Sequence, residues 1–356
     1  MAVGASWPGC TELDVLVAAP ADTGPTRPAP AVVRTLAFSE LVGEPRAGDR
    51  VLINTGALDL ELGTGGYAIV IAVPDRLPPD HDGPGHLIKA RYTPLQCSVL
   101  GVDEQDSPHH DVLADADDLA AVPVVVADLH SAVPAIAAGV LADRPGCRIV
   151  YVATDGGALP LAFSRSIAGL REAGWLRGSV TVGQAFGGDL EAVTIHNGLL
   201  AARHVLGAEV VIVAQGPGNL GTGTRWGFSG VAAGEAVNAI ATLNGRAVAG
   251  LRVSEADERE RHYGVSHHSL TAYGRVALAD ADVPVPQLAG DFGALVASQA
   301  ERLGGRHRLV SVPLAGLAAA LERSPVPLQT MGRSLQQDQA AFLASAAAGR
   351  HAASLV

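Results

Sequence analysis

The chain has 356 residues, of which 48% are apolar and only 4% aromatic, and it carries a net charge of −11. This length favours two domains, and Ala, Val, Leu and Ile must supply most of the core. Residues 1–120 contain 18 acidic and 7 basic residues, whereas residues 121–356 contain 18 of each. Because the acidic part repels phosphate backbones and no run of Lys and Arg offsets it, we expect no nucleic-acid partner.

The sequence also argues against a membrane or secreted protein. No apolar stretch approaches the roughly 20 residues that cross a bilayer, so we expect no membrane association. The three cysteines, Cys10, Cys97 and Cys147, are far apart and form no C-x-x-C pattern. They are too few for a disulfide framework or a zinc cluster, and thiols in a reducing cytoplasm account for them.

Residues 1–102 predict a β-rich acidic domain, either a small barrel or a sandwich. Short strand-like runs, LDVLVAA, AVVRTLAF, DRVLINT, YAIVIAV and HLIKARYT, are separated by Gly, Pro and Asp turns. The proline-rich segment 20–30 is typical of an extended or loosely ordered connection. Residues 103–120 are acidic and offer little that could be buried, so they are predicted to be an exposed linker.

Residues 121–356 predict an α/β domain, because strands alternate with helical stretches. The strand and helix pairs are 122–127 with 132–142, 148–153 with 160–173, 179–186 with 189–206, and 209–214 with 228–244, and further strands follow near 247–253, 283–287 and 307–312. Ser131 and Asp189 stand where helix N-caps belong. Apolar, β-branched strands between helices indicate a mostly parallel, doubly wound sheet.

Five loops after these strands carry polar residues and glycines, at 127–131, 153–157, 185–191, 215–221 and 252–257. The carboxyl ends of parallel strands share one edge of a sheet. We therefore expect a ligand site along that edge.

The segment QGPGNLGTGT (215–224) is the main candidate for ligand binding. It matches G-x-G-x-x-G, but Pro217 removes an amide and the next helix begins late, so a dinucleotide fold is disfavoured. We expect the loop to hold an anionic or carbonyl group, with tight-turn glycines as the alternative. Its candidate ligand-binding residues are Gln215, Gly216, Gly218, Gly221, Thr222 and Thr224.

Three histidines, His262, His267 and His268, fall within seven residues beside Arg261 and Ser266. Imidazoles this close can ligate a metal or move protons, so a divalent metal is the candidate cofactor. His267 and His268 are also candidate catalytic residues, and Ser266 is a candidate ligand-binding residue. The spacing is not that of an H-E-x-x-H helix, and exposed or capping histidines are the alternative.

Two further candidate catalytic residues follow predicted strands. His130 is placed to orient a substrate, and Asp155 offers a carboxylate to a hydroxyl, an ammonium or a metal, with a turn-forming Asp as the alternative. The remaining candidate ligand-binding residues are Gly156, Gly157 and Asp189, of which Asp189 has helix capping as its default role.

Six segments together resemble an uncharacterised bacterial family of actinobacteria and firmicutes, a domain of unknown function. They are GDRVLINTGALDLELGTGGY, GHLIKARYTPLQ, TDGGALPLAFS, GPGNLGTGT, RHYGVSHHS and TMGRSLQQDQAAFLASAAAG. The resemblance covers nearly the whole chain. It implies one shared architecture and a cytoplasmic setting, and it assigns no activity or catalytic residue.

The sequence leaves three function classes open. The first is a small-molecule enzyme of group transfer or hydrolysis that binds an anionic or carbonyl-bearing ligand. The second is a non-catalytic metabolite-binding or assembly module, and the third is a nucleotide-dependent oxidoreductase. A homo-oligomer is one option for the assembly state.

Overall fold

The computed structural model describes residues 2–17, 31–60, 65–80 and 83–356. The proline-rich segment 20–30, predicted to be a loose connection, lies outside the described residues. By its internal contacts the chain divides into two compact units, one of residues 1–84 with 88–99 and one of residues 85–87 with 100–356.

The first unit contains a five-stranded sheet in the order β1-β2-β3-β5-β4, in which only β3 and β5 pair in parallel. Its strands are β1 (Ala2–Trp7), β2 (Cys10–Val17), β3 (Ala31–Phe38), β4 (Leu52–Asn54) and β5 (Ala68–Ala72), and its short helices are α1 (Ser39–Val42) and α2 (Gly56–Asp59). Along β2, Leu13 and Val15 are buried while Asp14 is exposed, as the period of two requires. The predicted smaller β-rich part is confirmed.

An eight-stranded sheet in which every pair is parallel forms the centre of the second unit, in the order β11-β10-β9-β12-β8-β13-β16-β17. Between the two sheets in chain order comes a short strand pair, β6 (Leu87–Lys89) with β7 (Cys97–Val99), whose residues after Leu87 belong to the first unit. The strands that follow are β8 (Pro123–Val126), β9 (Ile149–Thr154), β10 (Gly178–Thr181), β11 (Leu190–Glu191), β12 (Val210–Gln215), β13 (Arg246–Ala249), β14 (Val253–Ser254), β15 (Gly264–Val265), β16 (Asp282–Pro286), β17 (Arg308–Val312), β18 (Gln329–Thr330) and β19 (Arg333–Ser334). The predicted parallel α/β sheet is confirmed.

Helices cover both faces of this sheet. They are α3 (His110–Leu113), α4 (Val133–Asp143), α5 (Arg165–Glu172), α6 (Ile195–His204), α7 (Ala232–Thr242), α8 (His267–Thr271) with a π-turn at Ala272–Val276, α9 (Gly290–Ala300), α10 (Leu317–Glu322) and α11 (Gln339–Ala353). Val124 and Val126 of β8 join the core under α6 and α7, whereas Val125 between them joins the core under α4 and α11. The sheet is therefore doubly wound.

Neighbouring strands β8 and β12 continue into helices on opposite faces, α4 and α7. The loops that leave these two strands diverge, and in open α/β sheets ligands bind at such a switch point. Asp128 and Gln215 lie there, at the carboxyl ends of β8 and β12.

Several predicted boundaries differ from the structure. The helix predicted at 189–206 begins at Ile195, where Thr194 caps it by accepting a hydrogen bond from the amide of Asn197, so Asp189 is not its N-cap. Helix α4 begins at Val133 without a side-chain cap, so Ser131 is not a cap either.

The domain boundaries stay a prediction, and the contact-based division places residues 103–120 in the second unit. Leu113 and Leu119 from this segment are buried in the main core, although the segment was expected to be an exposed linker. None of the helices in the described ranges is long and apolar enough to cross a bilayer, and the longest, α11, has 15 residues.

Helices α4 and α11 pack at backbone distance. A Cβ atom on Gly139 of α4 would overlap the carbonyl oxygen of Ala346, and one on Gly349 of α11 would overlap the carbonyl oxygen of Ile136. Neither obstacle is a movable side chain. Glycine at these two positions is therefore required by the approach of the helices.

We predict that Gly139→Ala lowers the free energy of unfolding by about 1–3 kcal/mol, because overpacking against the backbone outweighs the roughly 1 kcal/mol that alanine gains in helix propensity. Urea denaturation measures the change. The control is Gly305→Ala, where a Cβ would meet open space. Equal unfolding midpoints for the two variants would contradict the close helix contact.

Candidate functional site

Polar residues from four adjacent strands meet at the carboxyl edge of the sheet. Asp128 follows β8, Asp155 follows β9, Gln215 ends β12, and Arg252 lies three residues after β13. Because β9, β12, β8 and β13 are neighbours and parallel, this shared edge follows from the sheet order. The all-parallel sheet places the carboxyl ends of these four strands along one edge, and a ligand site at that edge stays a prediction.

Gln215 joins the loops that leave β8 and β12. Its buried side chain donates from Nε2 to the carbonyl oxygen of Asp128 at 3.0 Å and to Oδ1 of Asn219 at 2.9 Å. Oδ1 of Asn219 also accepts from the hydroxyl of Ser229 at 3.0 Å and from the amide of Gly230 at 3.3 Å. The amide side chains thus fix the start of the 215–224 segment against the start of α7.

The glycines of two loops allow those loops to touch. A Cβ on Gly156 would overlap Oε1 of Gln215, and one on Gly157 would overlap the carbonyl oxygen of Gly216. The amide of Ala158 donates to the carbonyl oxygen of Pro217 at 2.7 Å. Close packing therefore explains Gly156, Gly157 and Gly216, and their ligand-binding role stays a prediction.

The outer part of the glycine-rich segment is a small antiparallel turn. Gly221 bridges Phe228, and the amide of Thr222 donates to the carbonyl oxygen of Gly227 at 2.7 Å. The hydroxyls of Thr222 and Thr224 lie 3.1 Å apart, and that of Thr224 accepts from the amide of Gly227 at 3.1 Å. Both hydroxyls have partners within the turn.

The same geometry separates this loop from a dinucleotide-binding turn. Helix α7 begins only at Ala232, after the antiparallel turn. Gly218 has a φ of +89°, a left-handed conformation that explains glycine there without a ligand. A pyrophosphate site requires a strand, then a tight glycine turn, and then a helix that begins at once. This loop lacks the immediate helix.

Asp155 and Asp189 bind neighbouring backbone and side-chain groups rather than the histidines. Asp155 is exposed, and its Oδ2 accepts from the amide of Gln184 at 2.9 Å. Oδ2 of Asp189 accepts from the amide and the hydroxyl of Ser179 at 2.7 and 2.8 Å and forms an ion pair with Arg171. Among the described residues, no hydrogen bond or ring contact links either aspartate to the three histidines.

His130 belongs to a hydrogen-bonded chain beneath the edge. Its Nε2 lies 2.6 Å from Oγ of Ser164, and its Nδ1 lies 3.2 Å from the hydroxyl of Tyr151, which donates to the carbonyl oxygen of Ala214 at 3.0 Å. Oγ of Ser164 also accepts from the amide of Ile167 and caps α5. Burial lowers the pKa of His130 to about 4, so the imidazole is neutral at pH 7.

The three histidines come together at the start of α8. The strand pair β14–β15 returns the chain to the edge, and Ser266 caps α8 by accepting from the amide of His268 at 3.2 Å. The ring centroids of His262, His267 and His268 are 4.5–5.0 Å apart. His262 and His268 are buried and His267 is half-buried, so the alternative of fully exposed histidines does not hold here.

Asp128 connects this cluster to the sheet. Its Oδ2 lies 3.3 Å from Nδ1 of His268 and 3.7 Å from Nη1 of Arg252, and Nη1 of Arg252 lies 2.9 Å from the same imidazole nitrogen. Burial disfavours the Asp128 carboxylate, but the hydrogen bond to His268 and the charge of Arg252 outweigh it and lower the pKa of the carboxyl. The ring of Phe228 stacks on His268 with centroids 3.8 Å apart.

Two of the imidazoles are held neutral. Burial, followed by the charges of Arg252 and Arg259, lowers the pKa of His262 to about 3. Burial, followed by the charges of His268 and Arg261, lowers the pKa of His267 to about 4. Nε2 of His267 is buried and has no hydrogen-bond partner among the described residues.

Beside His267 opens a pocket of about 300 Å³ that is lined by four arginines. It is bounded by Gly223, Arg225, Arg261, His267, Leu270, Thr271, Arg275 and Arg302. Within the described ranges none of the four guanidinium groups makes a hydrogen bond or an ion pair, and no acidic residue lines the pocket. The sequence has no run of Lys and Arg, but the fold brings together four arginines that lie in separate segments of the chain.

Sequence reasoning missed five residues of this region. They are Asp128, Arg225, Arg252, Arg275 and Arg302. Asp128 had a usable signal, since an acid directly after a buried strand stands at the sheet edge. The arginines had none, because they lie in separate segments: Arg225 in the turn at 221–228, Arg275 in the π-turn after α8 and Arg302 in the turn after α9.

The fold and this edge define an α/β protein with a doubly wound parallel sheet and a histidine and arginine site at its carboxyl edge. The family described as "Protein of unknown function (DUF3866)" matches residues 34–349, and the chain belongs to that family. Neither the curated proteins nor the solved structures gave a match.

The neutral His130 makes stability depend on pH. Its pKa of about 4 in the folded chain lies below the value of about 6.5 in an unfolded chain, so acid favours unfolding. Its contribution is present above about pH 6.5 and is lost as the pH falls toward 4. We predict that His130→Gln reduces, by about 1–2 kcal/mol, the stability lost between pH 7.5 and pH 5.

Urea denaturation at the two pH values measures this loss. The control is His196→Gln, which changes an exposed histidine of α6. If both variants lose as much stability as the parent chain, the buried neutral imidazole is not the cause.

Proposed function

We propose that this chain is a small-molecule enzyme of group transfer or hydrolysis, and that its substrate is a multiply charged anion bound in the arginine pocket. The observation that carries the proposal is the set of four arginines without acidic partners around one pocket. Phosphate esters and polycarboxylates share the required chemistry.

The charge distribution supports an anionic ligand. A protein with a net charge of −11 has acids in excess, yet Arg225, Arg261, Arg275 and Arg302 face the same pocket without one. All four side chains are exposed, so water screens their charges, and a bound anion would add direct charge pairing at this surface. The planar guanidinium group binds phosphate and carboxylate oxygens in pairs, which gives orientation as well as charge.

His267 supplies the chemical group at the pocket wall. Its imidazole is neutral at pH 7, and its buried Nε2 has no partner among the described residues. A neutral imidazole beside a bound anion is suited to accept a proton or to ligate a metal. The 215–224 segment contributes Gly223 to the wall, which is a narrower role than the loop-wide grip expected from the sequence.

The size of the pocket and the charge of the chain indicate which class of partner the protein binds. A concave site of about 300 Å³ matches a small molecule rather than a nucleic acid, and the net negative charge opposes a nucleic-acid backbone. We place the protein in a bacterial cytoplasm, which three widely separated cysteines without a C-x-x-C pattern and a chain with a single lysine support. A homo-oligomer stays one option for the assembly state.

We predict that inorganic pyrophosphate binds the pocket and raises the melting temperature, and that Arg275→Gln/Arg302→Gln weakens this binding at least tenfold by removing two ligating charges. Calorimetric titration and thermal unfolding measure the effect. The matched control is Arg177→Gln/Arg323→Gln, which removes the same charge from exposed positions outside the pocket. Equal weakening in both double variants would reduce the effect to net charge and contradict the pocket.

Turnover separates an enzyme from a binding module. A panel of phosphate esters and phosphoanhydrides is incubated with the chain, and release of phosphate or transfer of the phosphoryl group is followed by mass spectrometry. Product formation that the pocket double variant abolishes supports an enzyme. Tight binding of several panel members without any product would instead favour the non-catalytic metabolite-binding module.

A further inference from the structure

The three histidines have the arrangement of an inner ligand set. One side-chain nitrogen from each of His262, His267 and His268 lies within 4.8 Å of the others. In a tetrahedral zinc site, bonds of about 2.0–2.1 Å place the ligand nitrogens roughly 3.4 Å apart. Binding an ion would therefore require the rings to rotate about their side-chain bonds and bring the nitrogens closer together.

Outer groups stand behind two of the rings. Nδ1 of His268 faces Oδ2 of Asp128 at 3.3 Å, and Nδ1 of His262 faces Oγ of Ser266 at 2.8 Å. Metal-binding histidines usually donate their second ring N–H to such an oxygen, which orients the ring and fixes its tautomer. When Asp128 and Ser266 accept these protons, both Nε2 lone pairs are free for an ion.

The third ring, that of His267, has a nitrogen without a hydrogen-bond partner among the described residues. Nε2 of His267 is buried and makes no hydrogen bond with any described residue. A buried polar nitrogen without a partner costs free energy, and a metal ion would satisfy it. Two independent features, the outer oxygens and the orphaned nitrogen, therefore point to the same centre.

We propose that His262, His267 and His268 bind one divalent transition-metal ion, with Asp128 and Ser266 as hydrogen-bonded outer partners. Three imidazoles favour ions such as Zn²⁺, Co²⁺ or Ni²⁺ over Mg²⁺ and Ca²⁺, which prefer oxygen ligands. Three protein ligands leave at least one coordination position open, as in catalytic rather than structural sites.

Arg252 is expected to limit the affinity of the histidines for a metal ion. Arg252 contacts His268, and its guanidinium can only donate a hydrogen bond to Nδ1, which favours the tautomer that does not bind metal through Nε2. Metal binding requires Nδ1–H to turn to Asp128. Arg252→Gln should therefore strengthen metal binding, an effect that an unrelated surface site would not show.

The inference concerns the histidines themselves and is separable from the anion-binding proposal, because metal binding is measured without any anion probe. Metal-stripped full-length chain is titrated with Co²⁺, and its visible ligand-field absorption and calorimetric heat are recorded. We expect one ion per chain in a four- or five-coordinate spectrum, displaced by Zn²⁺ and not by Mg²⁺.

Variants assign the site. We expect His267→Ala to weaken Co²⁺ binding at least tenfold and Asp128→Asn to weaken it about 10–100-fold, as loss of an outer carboxylate does. The control His196→Ala removes an exposed histidine from α6 and should bind Co²⁺ like the parent chain. Because His267 is half-buried, its variant is expected to fold, and circular dichroism checks this.

The outcomes decide the matter on their own. Substoichiometric binding, an octahedral spectrum unchanged by His267→Ala, or equal losses in the His267 and His196 variants would each overturn the metal site. The pocket variant Arg275→Gln/Arg302→Gln should retain Co²⁺ binding while losing pyrophosphate. Co²⁺ binding therefore tests the metal site and pyrophosphate binding tests the pocket, and the failure of one does not imply the failure of the other.

Discussion

The buried carboxylate of Asp128 is the charge around which the edge of the sheet is arranged. It lies two residues after the end of β8, against His268 and Arg252. A buried carboxylate is tolerated only when it is paired, so the end of β13 and the start of α8 are both fixed relative to β8. The carbonyl oxygen of the same residue accepts from Gln215 of β12. Three strands and one helix thus meet at this residue.

Helices α4 and α11 pack closely on one face of the sheet and connect to this edge at both ends. Gly139 and Gly349 let α4 and α11 touch through their backbones, and α4 continues directly from the loop after β8. At the other end, Asp338 just before α11 accepts from the hydroxyl of Ser254 at 2.5 Å and from the amide of Glu255 at 3.1 Å. Helix α11 therefore anchors the chain that leads from β14 to the histidines.

The sequence predicted the sheet because its strands are buried on both faces. The run 209–214 was placed within a residue of β12, and 122–127 contains β8, since fully buried parallel strands are uninterrupted apolar segments. Helix α11 was not predicted. Its alanine-rich surface is buried nearly all round, so it lacks the amphipathic period that marks a surface helix.

The site was predictable only in part, for a related reason. The His cluster was visible because its members are close in sequence. The roles of the loop glycines were not visible in the sequence. Gly157 must be a glycine because the backbone of Gly216, on a different loop, packs against it. Asp189 was placed as a helix cap, yet it bonds Ser179 of the neighbouring strand, which only the sheet order brings near. Short-range patterns identify elements, whereas the partners of a polar side chain depend on topology.

Charge links the two proposed ligands. The arginine pocket and the histidine cluster share His267, so an anion in the pocket and a cation on the histidines would lie close together. The positive charges that favour the anion, Arg261 among them, disfavour the cation, and the Asp128 carboxylate beside His268 is already paired with Arg252. Each bound ion reduces the repulsion that the other meets. By linkage, the factor by which the metal raises anion affinity must equal the factor by which the anion raises metal affinity.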